Sequence, residues 1–259
     1  MDLALTTTWN PRGELERFMR ILPELEQKYK DIVIVLPPEA VVSRTELNVI
    51  EEVKRIPGLR VFQTVDWAAG RYTALRCALE TPANVIIYID LDRLLRWYEI
   101  RPEEWQIVAD RGIDADCLIF GRSASAYQTH PRALVMTELI SNAVVSYFLG
   151  RKVDVSAGCK GFSRRAVEFL MANTTPQRAL GTDAEWPILL HRAGFRIDYI
   201  EVEGLDWESA DRYRQNAADG HSQRLLAQDY DADPEHWAQR VEVALEIIQV
   251  ALEIQGRPI

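Results

Sequence analysis

Asn84-Val85-Ile86-Ile87-Tyr88-Ile89-Asp90-Leu91-Asp92 is a run of branched apolar residues that ends abruptly in two carboxylates. Its length and its lack of a polar face predict a strand buried on both sides, as in a parallel sheet covered by helices. The acids stand where such a strand leaves the sheet, and in an extended chain residues i and i+2 point to the same side. Two oxygen-rich side chains there suit a hard divalent cation, Mn2+ or Mg2+, which in turn holds a diphosphate. Taken alone, the same residues fit a strand-to-loop turn with solvated aspartates equally well.

The chain before this strand alternates. Leu3–Thr8 reads as a strand, Glu14–Tyr29 as an amphipathic helix, Ile32–Leu36 as a uniformly apolar strand, and Ser43 as the cap of a helix running to Arg55. Leu59–Thr64 is a third strand, and Gly70 precedes a helix over Arg71–Leu79. Such alternation predicts right-handed crossovers and a mostly parallel central sheet flanked by helices.

Beyond Asp92 the pattern gives a helix from Pro102 to Arg111, a strand over Cys117–Gly121 and an apolar helix ending at Gly150. An irregular stretch, Val153–Phe162, follows, with Gly158 and Gly161 marking a close approach to a ligand or another backbone. Next come a helix from Arg164 to Met171, a helix opened by Thr182 or Asp183 and closed by Gly194, and a strand over Arg196–Val202. Gly204–Asp233 is polar and gives no clear pattern. In Pro234–Gln255, Trp237, Val241, Leu245, Ile248 and Leu252 predict a helix packed by one face. We expect one domain over residues 1–207, with residues 208–259 a polar loop and C-terminal helical extension packed on it.

The composition narrows the function. The 259 residues are 47% hydrophobic and 27% charged, as in an ordinary globular protein. A formal net charge of -9 opposes nucleic-acid binding, because polyanions attract lysine and arginine. Cys77, Cys117 and Cys159 are odd in number and lack metal spacing, which predicts a reduced, cytoplasmic setting, and no signal peptide is expected. Ala133–Leu149 falls short of the ~20 residues of a bilayer span, so no transmembrane segment is expected. His130, His191 and His236 lack zinc spacing, and no serine or cysteine nucleophile motif is present.

Two later stretches carry a resemblance. Gly150-Arg151-Lys152-Val153-Asp154-Val155-Ser156-Ala157-Gly158-Cys159-Lys160-Gly161-Phe162-Ser163-Arg164-Arg165-Ala166, and then Thr182-Asp183-Ala184-Glu185-Trp186, resemble segments of family-2 glycosyltransferases of the polyprenyl-phosphate (dolichyl-phosphate) mannose synthase type. Thr7-Thr8-Trp9-Asn10, Gly70 with Ala74-Leu75-Arg76, and Asp90-Leu91-Asp92 match that family in the same order, from about residue 3 to about residue 207.

The resemblance implies a GT-A fold and transfer of a hexose from a nucleotide-diphosphate sugar to an acceptor hydroxyl or phosphate, with inversion. It implies Asp90, Asp92 and His221 as ligands of Mn2+ or Mg2+, and Asp183 as general base, unless Asp183 is only a helix cap. Thr7, Trp9, Glu39, Arg71 and Asp90 would meet the donor, and Lys160, Arg164 and Arg165 an anionic small-molecule or lipid-phosphate acceptor. A homo-oligomer is compatible with it.

One departure stands out. Where the family presents Asp-Asp-Gly-Ser, this chain has Leu36-Pro37-Pro38-Glu39-Ala40, so Glu39 alone could replace the acid at the nucleotide. That departure keeps open a non-catalytic GT-A-fold protein binding a nucleotide sugar or a protein partner. A sugar-1-phosphate nucleotidyltransferase is a further alternative, for which Thr7–Gly13 is a poor match.

Overall fold

The computed structural model describes residues 2–41, 43–110 and 114–257. Seven strands, β1 (Leu3–Thr8), β2 (Asp31–Leu36), β3 (Leu59–Gln63), β4 (Val85–Ile89), β5 (Cys117–Arg122), β6 (Cys159–Ser163) and β7 (Ile197–Val202), form one sheet in the order β3-β2-β1-β4-β6-β5-β7. All neighbours are parallel except β6, which runs antiparallel to both β4 and β5. The helices of the N-terminal half are α1 (Leu15–Lys28), α2 (Arg44–Val53), α3 (Gly70–Ala78), α4 (Leu91–Ile100) and α5 (Pro102–Asp110). After β5 come α6 (Ala124–Tyr127), α7 (Arg132–Leu149), α8 (Arg164–Asn173), α9 (Thr182–Arg192), α10 (Gly220–Ala232) and α11 (Pro234–Gly256).

β4 is buried along its whole length, and its alternate residues feed two cores. Ile87 and Ile89 face Phe18, Leu22, Leu94 and Trp97 on one side of the sheet. Ile86 and Tyr88 face Leu75, Phe162 and Trp186 on the other. The sheet is therefore covered on both faces, which is why this strand carries no polar side. All three cysteines are buried and unpaired.

The chain turns to opposite sides of β1 when it forms β2 and β4, so the crevice between the carboxyl ends of β1 and β4 is a topological switch point, where open α/β sheets bind ligands. Ser43 caps α2 in a reciprocal box with Glu46, and Gly150 ends α7 with φ of 65°, a left-handed conformation that favours glycine. The expected end of α5 at Arg111 lies outside the described residues.

Three sequence expectations change. The chain does not stay extended through the diacid: Asp90 is the N-cap residue of α4 and Asp92 lies in its first turn, because Leu91, Leu94, Leu95 and Trp97 form a buried face that draws the chain into helix. The unassigned segment contains a 3-10 turn, Glu208–Asp211, and α10. In α11 the buried residues are Ala244, Ile247, Val250, Ala251 and Ile254, where alanine lets the helix approach α7 and α9 closely; Val241, Leu245 and Leu252 are exposed.

α7 is long and apolar enough, with mean hydropathy 1.2, to qualify by composition as a membrane span. Within the fold it is half-buried, with Ala133, Thr137, Ser141, Val145 and Leu149 turned inward.

Candidate active site

A cleft of about 210 Å³ opens at the carboxyl ends of β1, β2 and β4. That is below the ~300–1,000 Å³ of pockets that enclose whole drug-sized ligands, so it admits part of an extended ligand while the rest lies over its mouth. Asp90, Asp92, Arg71, Arg93 and Glu208 line its charged end. Leu36, Pro37, Thr64 and Trp67 line the other end, with Trp9 and Arg12 along one wall.

The two aspartates have different roles. Asp90 is saturated by the protein: Oδ1 accepts the Thr8 hydroxyl at 3.0 Å and the Tyr88 hydroxyl at 2.5 Å, and Oδ2 accepts Arg71 Nη2 at 3.0 Å. Among the described residues Asp92 accepts only the backbone N–H of Arg93, at 2.9 Å, leaving lone pairs toward the cleft. Burial, then the neighbouring charges of Glu208 and Asp90, push the Asp92 carboxyl up to about 7. Carboxylates crowded in this way, Glu208 buried and Asp90 and Asp92 half-buried, favour a bound cation.

Glu208 was not legible in the sequence. It is placed by Asp211, three residues on, whose carboxylate receives Arg17 Nη2 at 2.9 Å and Arg96 Nη1 at 2.8 Å. All three side chains of that network are at most 3% exposed, so the turn is fixed against α1 and α4. Arg93 reaches Glu208 at 3.9 Å and Asp90 at 3.8 Å, and it donates to the carbonyl of Ala157. Gly158, with φ of 64°, lets the backbone pass so close that an added Cβ would stand 2.7 Å from Asp90 Oδ2.

Asp183 does not cap α9, whose N-cap is Gly181. Its Oδ1 accepts Lys160 Nζ at 2.7 Å and its Oδ2 lies 3.1 Å from Arg71 Nη1. Burial opposes its charge, but Arg71 and Lys160 outweigh that cost and hold the carboxyl below its ordinary value. Arg71 thus bridges Asp90 and Asp183, with its guanidinium over the Tyr88 ring.

Several expected residues lie elsewhere. Thr7 is buried with its hydroxyl on the Thr8 carbonyl; Thr8 is the residue that reaches Asp90. Trp9 is 3% exposed and packs on Phe18 while contributing an edge to the cleft. Glu39 is exposed in a short 3-10 turn beyond the wall formed by Val35, Leu36 and Pro37.

Arg164 and Arg165 stand at the opposite rim of the sheet, because antiparallel β6 starts beside Ile89 and ends beside Val85. Arg164 caps the end of α3 through the carbonyls of Leu79 and Thr81, and Arg165 pairs with Asp116. Lys160 is buried beneath Asp183. His221 is exposed in the first turn of α10, where its N–H donates to the cap Asp219. Among the described residues no three acidic, histidine or cysteine side chains form a ready-made metal cage. The carboxylate pair Asp92 and Glu208 matches a cation that completes its shell with phosphate oxygens.

No family model matches this chain, and no curated protein matches it. Solved structures do. Glucosyl-3-phosphoglycerate synthase from Mycobacterium tuberculosis, in complex with Mn2+, uridine diphosphate and phosphoglyceric acid, is 14% identical with a TM-score of 0.53, over 100% of this chain and 80% of that one. The same enzyme with uridine diphosphate alone gives 13% identity and a TM-score of 0.55, over 100% and 81%. A mycobacterial protein gives 12% identity and a TM-score of 0.60, over 100% and 76%. The fold is that of GT-A nucleotide-sugar transferases.

Proposed function

We propose that the chain is a glycosyltransferase that moves a hexose from a nucleotide-diphosphate sugar to an acceptor hydroxyl or phosphate. The observation that carries this reading is the gathering of Asp92, Glu208, Arg71 and Arg93 around the Asp90 carboxylate, at the switch point of a GT-A sheet. Similar structures contain uridine diphosphate glucose with Mn2+ and phosphoglyceric acid, in the same type of fold.

Asp92 and Glu208, with Asp90 behind them, would hold Mn2+ or Mg2+. Such an ion neutralises charge on a departing diphosphate. Arg71 and Arg12 face the anionic donor, and Trp67, 54% exposed beside Pro37, offers the nucleoside a flat apolar surface where the sequence lacks its acid.

Direct displacement on the sugar carbon inverts its configuration. For a hydroxyl acceptor, Asp183 would be the base; a diphosphate that competed for Arg71 would relieve one of the two cations that hold its carboxyl, with Lys160 remaining. A phosphate acceptor needs no base. The acidic chain favours a small soluble acceptor over a lipid phosphate.

Calorimetry with a panel of nucleotide-diphosphate sugars and Mn2+, paired with release of nucleoside diphosphate, tests the reading. Asp92→Asn is expected to abolish metal-dependent donor binding, whereas Asp183→Asn spares binding and slows turnover. Binding without release for every small-molecule and lipid-phosphate acceptor would make the chain a non-catalytic binder. No binding with metal present would sink both versions.

A further inference from the structure

α7 and α11 pack side by side. On the outer side of α7, Met136, Ile140, Ala143 and Tyr147 recur at intervals of four, three and four residues, and all four are exposed, Tyr147 to 82%. On α11, Val241, Leu245, Ile248 and Leu252 repeat those intervals, with the first, second and fourth exposed and Ile248 half-buried. This is the spacing of a helix seam that receives the knobs of a facing helix. Inside the chain, however, α11 uses another face, that of Ala244, Ile247 and Ala251, against its neighbours. Among the described residues both seams are therefore left without an internal partner.

We propose that α7 and α11 form the interface of a homodimer. The exposed apolar side chains of the two helices offer on the order of 800 Å², which is the share each partner gives to a stable interface and more than a monomer usually leaves bare. A two-fold rotation lays one pair of seamed helices on the other, so each copy supplies both knobs and holes, and the result is a four-helix layer. Glu242 and Gln249, exposed beside the α11 seam, provide a polar rim. A net charge of -9 opposes docking on an anionic bilayer, the other surface such a face could meet. The interface is independent of the catalytic reading, because none of the seam residues lines the cleft.

Sedimentation of the 259-residue chain at micromolar concentration is expected to give the mass of two chains. Leu245→Glu and, separately, Ile140→Glu are expected to give the mass of one chain while keeping the wild-type circular dichroism and a cooperative melting transition, lowered by the lost association, since both side chains are at least half in solvent. Leu245→Gln serves as the same test should a charged variant fail to fold. A wild type sedimenting as one chain, or a folded variant still sedimenting as two, overturns the proposal. So does flotation of a one-chain wild type with phosphatidylcholine–phosphatidylglycerol vesicles, which gives the face to lipid instead.

Discussion

Arg71 holds Asp183 at 3.1 Å through one terminal nitrogen and, through the other, holds Asp90 at 3.0 Å. A single planar guanidinium, 11% exposed, therefore couples the acid at the head of α9 to the acid at the end of β4. Lysine, a single compact ammonium, cannot reproduce this two-nitrogen fork.

Arg71→Lys is accordingly expected to fold but to weaken donor binding at least ~10-fold, a loss of about 1.4 kcal/mol. Turnover with a hydroxyl acceptor should fall further than binding does. Calorimetry and initial rates measured on the same preparation check this, and equal losses in the two would contradict the bridging role.

Gly158→Ala places a methyl group 2.7 Å from Asp90 Oδ2 on a backbone with φ of 64°. Strain and crowding together should cost about 1–3 kcal/mol of stability. The displaced Asp90 should also lower affinity for Mn2+. Urea unfolding and metal titration by calorimetry test the two effects separately.

Asp211→Asn removes the charge shared by Arg17 and Arg96, leaving Arg17 with Glu99 at 3.0 Å and Arg96, the less compensated of the two, with Asp206 at 3.6 Å. Breaking a buried pair of this kind costs about 3–5 kcal/mol. Because Glu208 rides on the same turn, the variant should lose Mn2+ affinity even at temperatures where it remains folded. Unfolding midpoints and metal binding measured well below that midpoint provide the check.

His130 is buried, and burial first, then Arg122, lower its pKa from an ordinary 6.5 to about 3. The unfolded chain thus binds a proton between these values that the folded chain refuses. Stability should be complete above about pH 6.5 and should fall as the pH drops toward 3. His130→Gln should flatten that acid limb by a few kcal/mol while also losing some stability at neutral pH. Urea midpoints measured from pH 7.5 to pH 5 decide it; parallel pH profiles for the two proteins would count against His130 as the cause.

The diacid strand and the alternation before it were readable because each element declares its own burial. Ile86 to Ile89 has no polar face, and Ser43 with Glu46 marks a helix start within four residues. Glu208 was hidden for the opposite reason. Its place depends on contacts of Asp211 with Arg17 and Arg96, 194 and 115 residues away in sequence, which no local pattern encodes.

That Arg164 and Arg165 stand at the rim away from the cleft is not legible in the sequence, because strand direction is a property of the sheet, and Cys159–Ser163 reads the same either way. In α11 two apolar faces compete. Periodicity favoured the one with larger side chains, while packing selected the one whose alanines permit close approach.

The cleft is assembled almost wholly from residues before position 94; among the described residues of the second half only Ala179, Leu180 and Glu208 reach its lining. On the proposed reading, the chain beyond β6, with Asp183 at the head of α9, would meet the acceptor. A recombinant chimera joined within the α4–β5 region would therefore inherit its donor preference from one parent and its acceptor preference from the other. Over evolutionary time the two preferences could drift apart so long as Glu208 and the Arg71–Asp183 bridge, which join the halves, are kept.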